Sequence, residues 1–120
     1  MLFRSTKFRF LQRKGVYFGF EASGHSGFAD AGQDILCAAL SAMTQLVVNV
    51  LEVSFAADVD YQIDEETADI KVYCKKALAE HESDEKKRYA ISGLIQGFFY
   101  QLTDMIEDYY EFLDVEVCEA

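Results

Sequence analysis

The sequence predicts an α+β fold, ordered ββαββαβ, in which a mostly antiparallel sheet carries two packed helices. Each half of the chain starts with two segments of alternating polar and apolar residues around a short turn. A long stretch with helical spacing follows each pair, and a last alternating segment closes the chain. Because the chain has 120 residues and no linker-like segment, a single domain over residues 1–120 is expected.

The first two strands are predicted at residues 2–12 and 16–23, joined by a turn at Arg13-Lys14-Gly15. A long helix is predicted from Asp34 to about Phe55. Helical spacing gathers its polar residues on one stripe and leaves the other sides apolar. The polar stripe comprises Asp34, Cys37, Ser41, Thr44, Gln45, Asn49 and Glu52. A cysteine that only filled the core would be expected among the apolar residues, so the position of Cys37 favours a chemical role.

The second half repeats the pattern. Residues 59–63 and 68–74 are predicted to form a hairpin with one apolar face. Ser83 is the predicted N-cap of the second helix, with Asp84 and Glu85 in its first turn, and apolar residues recur at helical spacing as far as Tyr109. Residues 113–117 alternate again and are predicted to form the closing strand.

Charge and cysteine content limit the partners and the cellular compartment that are expected for this chain. The net charge is −10, yet the first twenty residues hold five cations and no acid, so the remaining residues carry −15. This acidic body is expected to repel nucleic acid and to attract basic partners, although acidic charge also simply keeps small proteins soluble. No apolar run approaches the roughly 18 residues of a membrane span. Three cysteines, an odd number, fit a reducing compartment, so a cytoplasmic protein without membrane contact is expected.

A histidine and a cysteine lie close together in the sequence, in a pattern that suits a thiol nucleophile. If Asp34 caps the helix, Cys37 lies in the opening turn, where the dipole and unpaired N–H groups lower a thiol pKa from about 8.5 toward neutrality. His25 would take the Cys37 proton and later return one to the leaving amine. N–H groups at the helix start would stabilise the oxyanion.

The same residues allow a simpler interpretation. Gly24, Gly27 and Gly32 let the loop adopt positive φ, approach another chain or act as a lid. A glycine-rich turn, an incidental histidine and a capped helix would give the same pattern, since an isolated His/Cys pair is a weak motif. No cofactor is expected, and no metal, because no ligand pair has close metal-binding spacing.

The remaining candidate groups are expected to be structural. Cys74 shares an apolar strand face with Ile70 and Val72 and is predicted to be buried. Cys118 is predicted on a polar face near the chain end, without a specific role. His81, between two glutamates, is predicted to be exposed.

The segment around His25 and Cys37 resembles the signature of the ribosomal-processing cysteine protease family Prp. That signature is a Gly-His-Ala-Gly-like turn, a short glycine-containing loop and Gly-x-Asp-Ile-Val-Cys-Ala-Ala-x-Ser. The matching segments here are Gly24-His25-Ser26-Gly27 and Gly32-Gln33-Asp34-Ile35-Leu36-Cys37-Ala38-Ala39-Leu40-Ser41. Ser26 stands where the family often has alanine. The length and the order of elements also agree with the family.

The resemblance implies a homodimeric endopeptidase that removes a short N-terminal extension from large-subunit ribosomal protein number twenty-seven. It makes His25 and Cys37 the catalytic dyad. Gly24, Gly27, Gly32, Asp34 and Ser41 become residues of the site architecture. The substrate is basic, so the acidic body would aid encounter. The alternatives are a non-catalytic ribosome-assembly or peptide-binding module and, less favoured, a redox-sensing thiol.

Overall fold

The computed structural model describes residues 6–24, 31–64, 66–67 and 69–120, with the backbone alone at 31–34. Its elements follow the predicted order ββαββαβ. They are β1 (Thr6–Arg13), β2 (Val16–Ser23), α1 (Ala31–Asn49), β3 (Asp60–Ile63), β4 (Ile70–Tyr73), α2 (Glu85–Tyr109) and β5 (Leu113–Glu119). One π-helical turn, Val50–Ser54, extends α1, so the long helical segment predicted to reach about residue 55 is confirmed.

The five strands form one sheet in the order β3-β4-β2-β1-β5. The pairs β1–β2, β2–β4 and β3–β4 are antiparallel, whereas β1 and β5 are parallel, so the mostly antiparallel sheet is confirmed. Because β4 and β5 are parallel and two strands lie between them, α2 crosses over β2 and β1 to connect them. The predicted turn between β1 and β2 uses positive φ at Lys14 (51°) and Gly15 (83°).

The core lies between the sheet and the two helices. Phe8 and Phe10 of β1 and Phe20 of β2 point toward Phe98 of α2, which meets Phe8 and Phe10 edge-on at 5.6 Å and Phe20 at 5.2 Å between ring centroids. Edge-on aromatic pairs contribute about 0.5–1.5 kcal/mol each beyond their buried area. This cluster fixes β1, β2 and α2 as a rigid base.

The start of α2 differs from the prediction by one residue. Asp84, rather than Ser83, is the N-cap: its carboxylate accepts a hydrogen bond from the Lys86 backbone N–H at 3.0 Å. Both residue types cap helices well, but the aspartate also places a negative charge at the positive end of the helix dipole.

The parallel pairing of the first and last strands accounts for the basic start of the chain. It places Arg9 opposite Glu116, and the two side chains form an ion pair at 2.8 Å, with Lys7 at 3.5 Å from the same carboxylate. The hydrogen bond from Arg9 lowers the pKa of Glu116 below its usual value. Arg13 similarly pairs with Glu80 at 2.5 Å. The cations of the first hairpin are therefore partly neutralised by acids from later in the chain.

Helix α1 with its π-helical turn is more apolar than expected. By length and composition alone, Ile35–Ser54 would suffice to cross a membrane, so the expectation that no segment approaches this length is wrong. In this fold the helix packs on the sheet, with Leu36, Leu40, Val47 and Leu51 buried in the core. A helix that packs in a protein core can meet the same criterion of length and hydropathy as a membrane span.

Candidate active site

Cys37 lies on α1 at the border between the core and the surface. It is half-buried, between the buried Leu36 and Leu40 on one side and the exposed Ala38 and Ser41 on the other. Cys37 is therefore not a fully buried core residue.

The start of α1 contradicts one part of the sequence argument. The helix begins at Ala31, so Asp34 is its fourth residue and the prediction that Asp34 is the N-cap is wrong. Cys37 is the seventh helical residue rather than a residue of the first turn. Because the effect of the dipole fades beyond the first turn, the helix end contributes less to thiol ionisation than the sequence suggested.

The glycines of the connection have different roles. Gly24 adopts φ of 79°, which confirms the expected positive φ at this position and turns the chain away from the end of β2. Gly32 belongs to the first turn of α1, so the expectation that it serves as a loop glycine is wrong. His25, Ser26 and Gly27 lie outside the described residues.

The end of β2 packs beside α1. Ala22 of β2 lines a small cavity of about 20 Å³ together with Leu40, Ser41 and Thr44 of α1. Thr6, Phe8 and Ile70 complete its lining. Ser41 lies about one turn after Cys37 on the helix. The strand that leads into residue 25 is thus adjacent to the part of α1 that carries Cys37.

Thr44 of α1 is a buried polar residue in this region. It belongs to the predicted polar stripe, yet only 3% of its surface is accessible, and it lines the cavity. Thr44 lies two turns after Cys37 on the same side of the helix, and this spacing in the sequence indicated that it belongs to the same region. Thr6 of β1 is equally buried at 3%.

The opposite face of the sheet has a charged cleft near the same end of β2. Its volume is about 120 Å³, and its charged lining comes from Lys7, Arg9, Glu21, Asp69 and Lys71, with Ser23 at the strand end. The nearby Tyr73 hydroxyl donates a hydrogen bond to Glu21. Burial, followed by this hydrogen bond, raises the pKa of Tyr73 to about 12.

The other cysteines and His81 match their predicted surroundings. Cys74 is fully buried, and burial raises the pKa of its thiol. Cys118 is half-buried on β5, with its Sγ 3.9 Å from Glu116 Oε1. His81 is exposed. Among the residues that the structure describes, no three histidine, cysteine or acidic side chains are grouped as they would need to be to hold a metal ion.

The family model described as cysteine protease Prp matches residues 5–114. The chain belongs to the cysteine protease Prp family. It is therefore a cysteine protease by family, and this confirms the class of enzyme suggested by the residues around Cys37. No curated protein sequence matches the chain.

Solved structures support the assignment of the fold. The protein SMU.848 from Streptococcus mutans is 28% identical, with a TM-score of 0.78 over 97% of this chain and 99% of that one. The essential ribosomal processing protease Prp from S. aureus, in complex with a substrate peptide, is 15% identical, with a TM-score of 0.76 over 94% and 99%. The same protease with a covalently linked product peptide is 17% identical, with a TM-score of 0.74 over 94% of this chain and 99% of that one. At these identities the two protease structures establish the shared fold.

Proposed function

We propose that residues 1–120 form one endopeptidase domain in which Cys37 is the nucleophile and His25 the general base and acid. The observation that carries this proposal is the placement of Cys37. It is half-buried at the surface of α1, beside the end of β2, and the chain leaves β2 through Gly24 directly into His25. Because His25 directly follows Gly24 in the sequence, we expect its imidazole to reach the Cys37 thiol.

The reaction follows from the chemistry of the two side chains. The His25 imidazole accepts the Cys37 proton, and the sulfur attacks the peptide carbonyl carbon. Backbone N–H groups stabilise the oxyanion, and the imidazolium then donates its proton to the leaving amine. Water hydrolyses the resulting thioester and regenerates the thiol. Because Cys37 lies beyond the first turn of α1, activation of the thiol depends more on His25 than on the helix dipole.

The supporting residues have distinct proposed roles. The positive φ of Gly24 sets the direction in which the chain leaves β2. Ser41 lies one turn from Cys37 and lines the small cavity beside it. Asp34 and Gly32 belong to the start of α1, and Gly27 belongs to the connection before it.

The proposed substrate is a ribosomal protein, specifically large-subunit protein number twenty-seven with a short N-terminal extension. Membership of the Prp family supports this proposal, as does the S. aureus homologue described as a ribosomal processing protease in complex with a substrate peptide. Ribosomal proteins are basic, and a net charge of −10 accelerates their encounter with this chain. We further propose that the protein acts in the cytoplasm as a homodimer, without binding nucleic acid directly.

The decisive experiment is mass spectrometry of the extended ribosomal protein after incubation with the purified enzyme. Wild type is expected to release the extension, whereas Cys37→Ala, Cys37→Ser and His25→Ala are expected to leave it intact while they fold and bind normally. Cys118→Ala is the matched control, since Cys118 is also half-buried but lies on β5. Cleavage by Cys37→Ala at the wild-type rate would refute the proposed nucleophile.

A further inference from the structure

A cavity of about 300 Å³ lies at the end of the sheet opposite the candidate active site. It is bordered by Gly15 and Val16 at the start of β2, by the short helical turn Lys75–Ala77 and by the first half of α2. His25 follows the other end of β2, and eight residues of β-strand span roughly 25 Å. We call this space the α2 cavity. Its volume is at the lower end of the range for ligand sites, so it suits a small molecule.

Two opposite charges line the α2 cavity without pairing with each other. Glu85 and Arg88 lie about one turn apart on α2, a spacing at which opposite charges usually attract and pair. The half-buried Arg88 guanidinium instead donates a hydrogen bond to the Glu82 carbonyl oxygen at 2.7 Å. Within the part of the chain that the structure describes, neither Glu85 nor Arg88 forms an ion pair. A ligand that carries an ammonium and a carboxylate close together satisfies both side chains.

Ser92 adds a polar group to the cavity one turn beyond Arg88. Its Oγ accepts a hydrogen bond from the Tyr17 backbone N–H at 2.9 Å, which fixes the oxygen and leaves the hydroxyl proton for another acceptor. Arg88 and Ser92 are four residues apart, so they lie in one row along the helix. This row of N–H and O–H donors suits the two oxygens of a carboxylate.

The remaining lining of the α2 cavity includes apolar and small residues. Val16 is half-buried and Ala77 is buried. Gly93 is exposed on α2, and apart from the adjacent residues and the local helix backbone no heavy atom lies within 4 Å of a Cβ built there. Glycine destabilises a helix interior relative to alanine, yet here it keeps open a space that a methyl group would fill. Tyr89, with 82% of its surface exposed, supplies an aromatic ring that can cover an apolar ligand side chain.

We propose that the α2 cavity binds a free α-amino acid with an apolar side chain. Glu85 accepts hydrogen bonds from its ammonium group, Arg88 and Ser92 donate to its carboxylate, and the apolar lining contacts its side chain. A simple anion would be repelled by Glu85 and a simple cation by Arg88, so the zwitterion fits both charges. This binding does not depend on Cys37 or on peptide hydrolysis.

Nuclear magnetic resonance titration of the isotope-labelled full chain with L-leucine tests the site. The amide signals of residues 85–96 are expected to shift. N-acetyl-L-leucine, which lacks the ammonium, and L-leucinamide, which lacks the carboxylate, are each expected to bind at least about ten-fold more weakly, because each loses a charge-assisted hydrogen bond. Shifts confined to the surroundings of Cys37, or no shift at millimolar leucine, would refute the site. Equal affinity for leucine and its two derivatives would refute the recognition of a zwitterion.

Variants assign the two charges of the cavity. Glu85→Gln is expected to weaken leucine binding about ten-fold without weakening binding of N-acetyl-L-leucine, which has no ammonium to lose a partner. Arg88→Gln is expected to weaken leucine binding about as much without weakening binding of L-leucinamide. Lys71→Gln is the matched control, because Lys71 is exposed on β4 and does not line the cavity. Leucine affinity equal to wild type in both cavity variants contradicts the assignment.

Gly93→Ala separates ligand binding from folding. Its methyl group fills space in the cavity while the helix gains propensity, so leucine binding is expected to weaken although the melting temperature does not fall. Unchanged leucine affinity in this variant would show that the ligand lies elsewhere. Leucine binding is measured without any peptide substrate, so a failure of the proposed peptidase activity leaves this test intact.

Discussion

Gly19, in the middle of β2, provides a stringent test of the packing between β2 and β4. A Cβ atom at this position would lie 2.6 Å from the Val72 carbonyl oxygen and 3.0 Å from Tyr73 Cδ1. The closer obstacle is backbone in the neighbouring strand, which cannot rotate away as a side chain does. Gly19→Ala therefore forces β2 and β4 apart.

The cost follows from the size of the overlap. Forcing an extra carbon into a packed interior costs about 1–3 kcal/mol. For a domain of this size, each kcal/mol lowers the melting temperature by roughly 4 °C, so a decrease of roughly 4–12 °C is expected. The same displacement disturbs the strand that leads to His25, so peptidase activity is expected to fall as well.

Gly93 of α2 offers a matched control for the same chemical change. Apart from the adjacent residues and the local helix backbone, no heavy atom lies within 4 Å of a Cβ built there, and the position is exposed within a helix. Gly93→Ala is expected to stabilise the protein by up to about 1 kcal/mol through helix propensity. Thermal denaturation followed by circular dichroism measures both variants. A Gly19→Ala variant as stable as wild type would refute the packing argument.

Three further predictions concern stability. Asp84→Ala is expected to cost about 1 kcal/mol in urea unfolding, because the Lys86 N–H loses its acceptor, and Asp84→Asn should recover most of it. Ala56→Gly is expected to stabilise the protein by about 0.5–1 kcal/mol, since Ala56 has φ of 49°; no gain in urea midpoint would contradict this. Burial raises the pKa of Cys74, so the unfolded thiol ionises first as pH rises. The stability contribution of this thiol is full below about pH 8.5 and declines above it, and the decline in melting temperature should be shallower in Cys74→Ala.

The local elements could be predicted from the sequence because each depends on residues close together in the chain. Alternation marks β2 and β5, helical spacing marks α2, and Lys14-Gly15 supplies the tight turn between β1 and β2. The parallel pairing of β1 with β5 could not be obtained in this way. It joins residues 107 positions apart, such as Arg9 and Glu116, and only their opposite charges hinted at it.

The candidate site was predictable in its residue types and less so in its environment. Cys37 is at the surface boundary as its polar stripe predicted. Asp34 looked like an N-cap because aspartate favours that position, but an acid within the first turns also stabilises a helix that starts earlier. Thr44 belongs to the same polar stripe but is buried, because a single hydroxyl can be buried at low cost once it is hydrogen-bonded.

The position of β5 in the sheet has a consequence for biosynthesis. Residues 113–119 are made after every other element described, yet they pair with residues 6–12 of β1, the earliest strand in the described part of the chain. A nascent chain therefore keeps one edge of β1 unsatisfied until translation has passed residue 119, and that edge can recruit a foreign strand in the meantime. The pairing of β1 is therefore completed only after residues 113–119 have been translated.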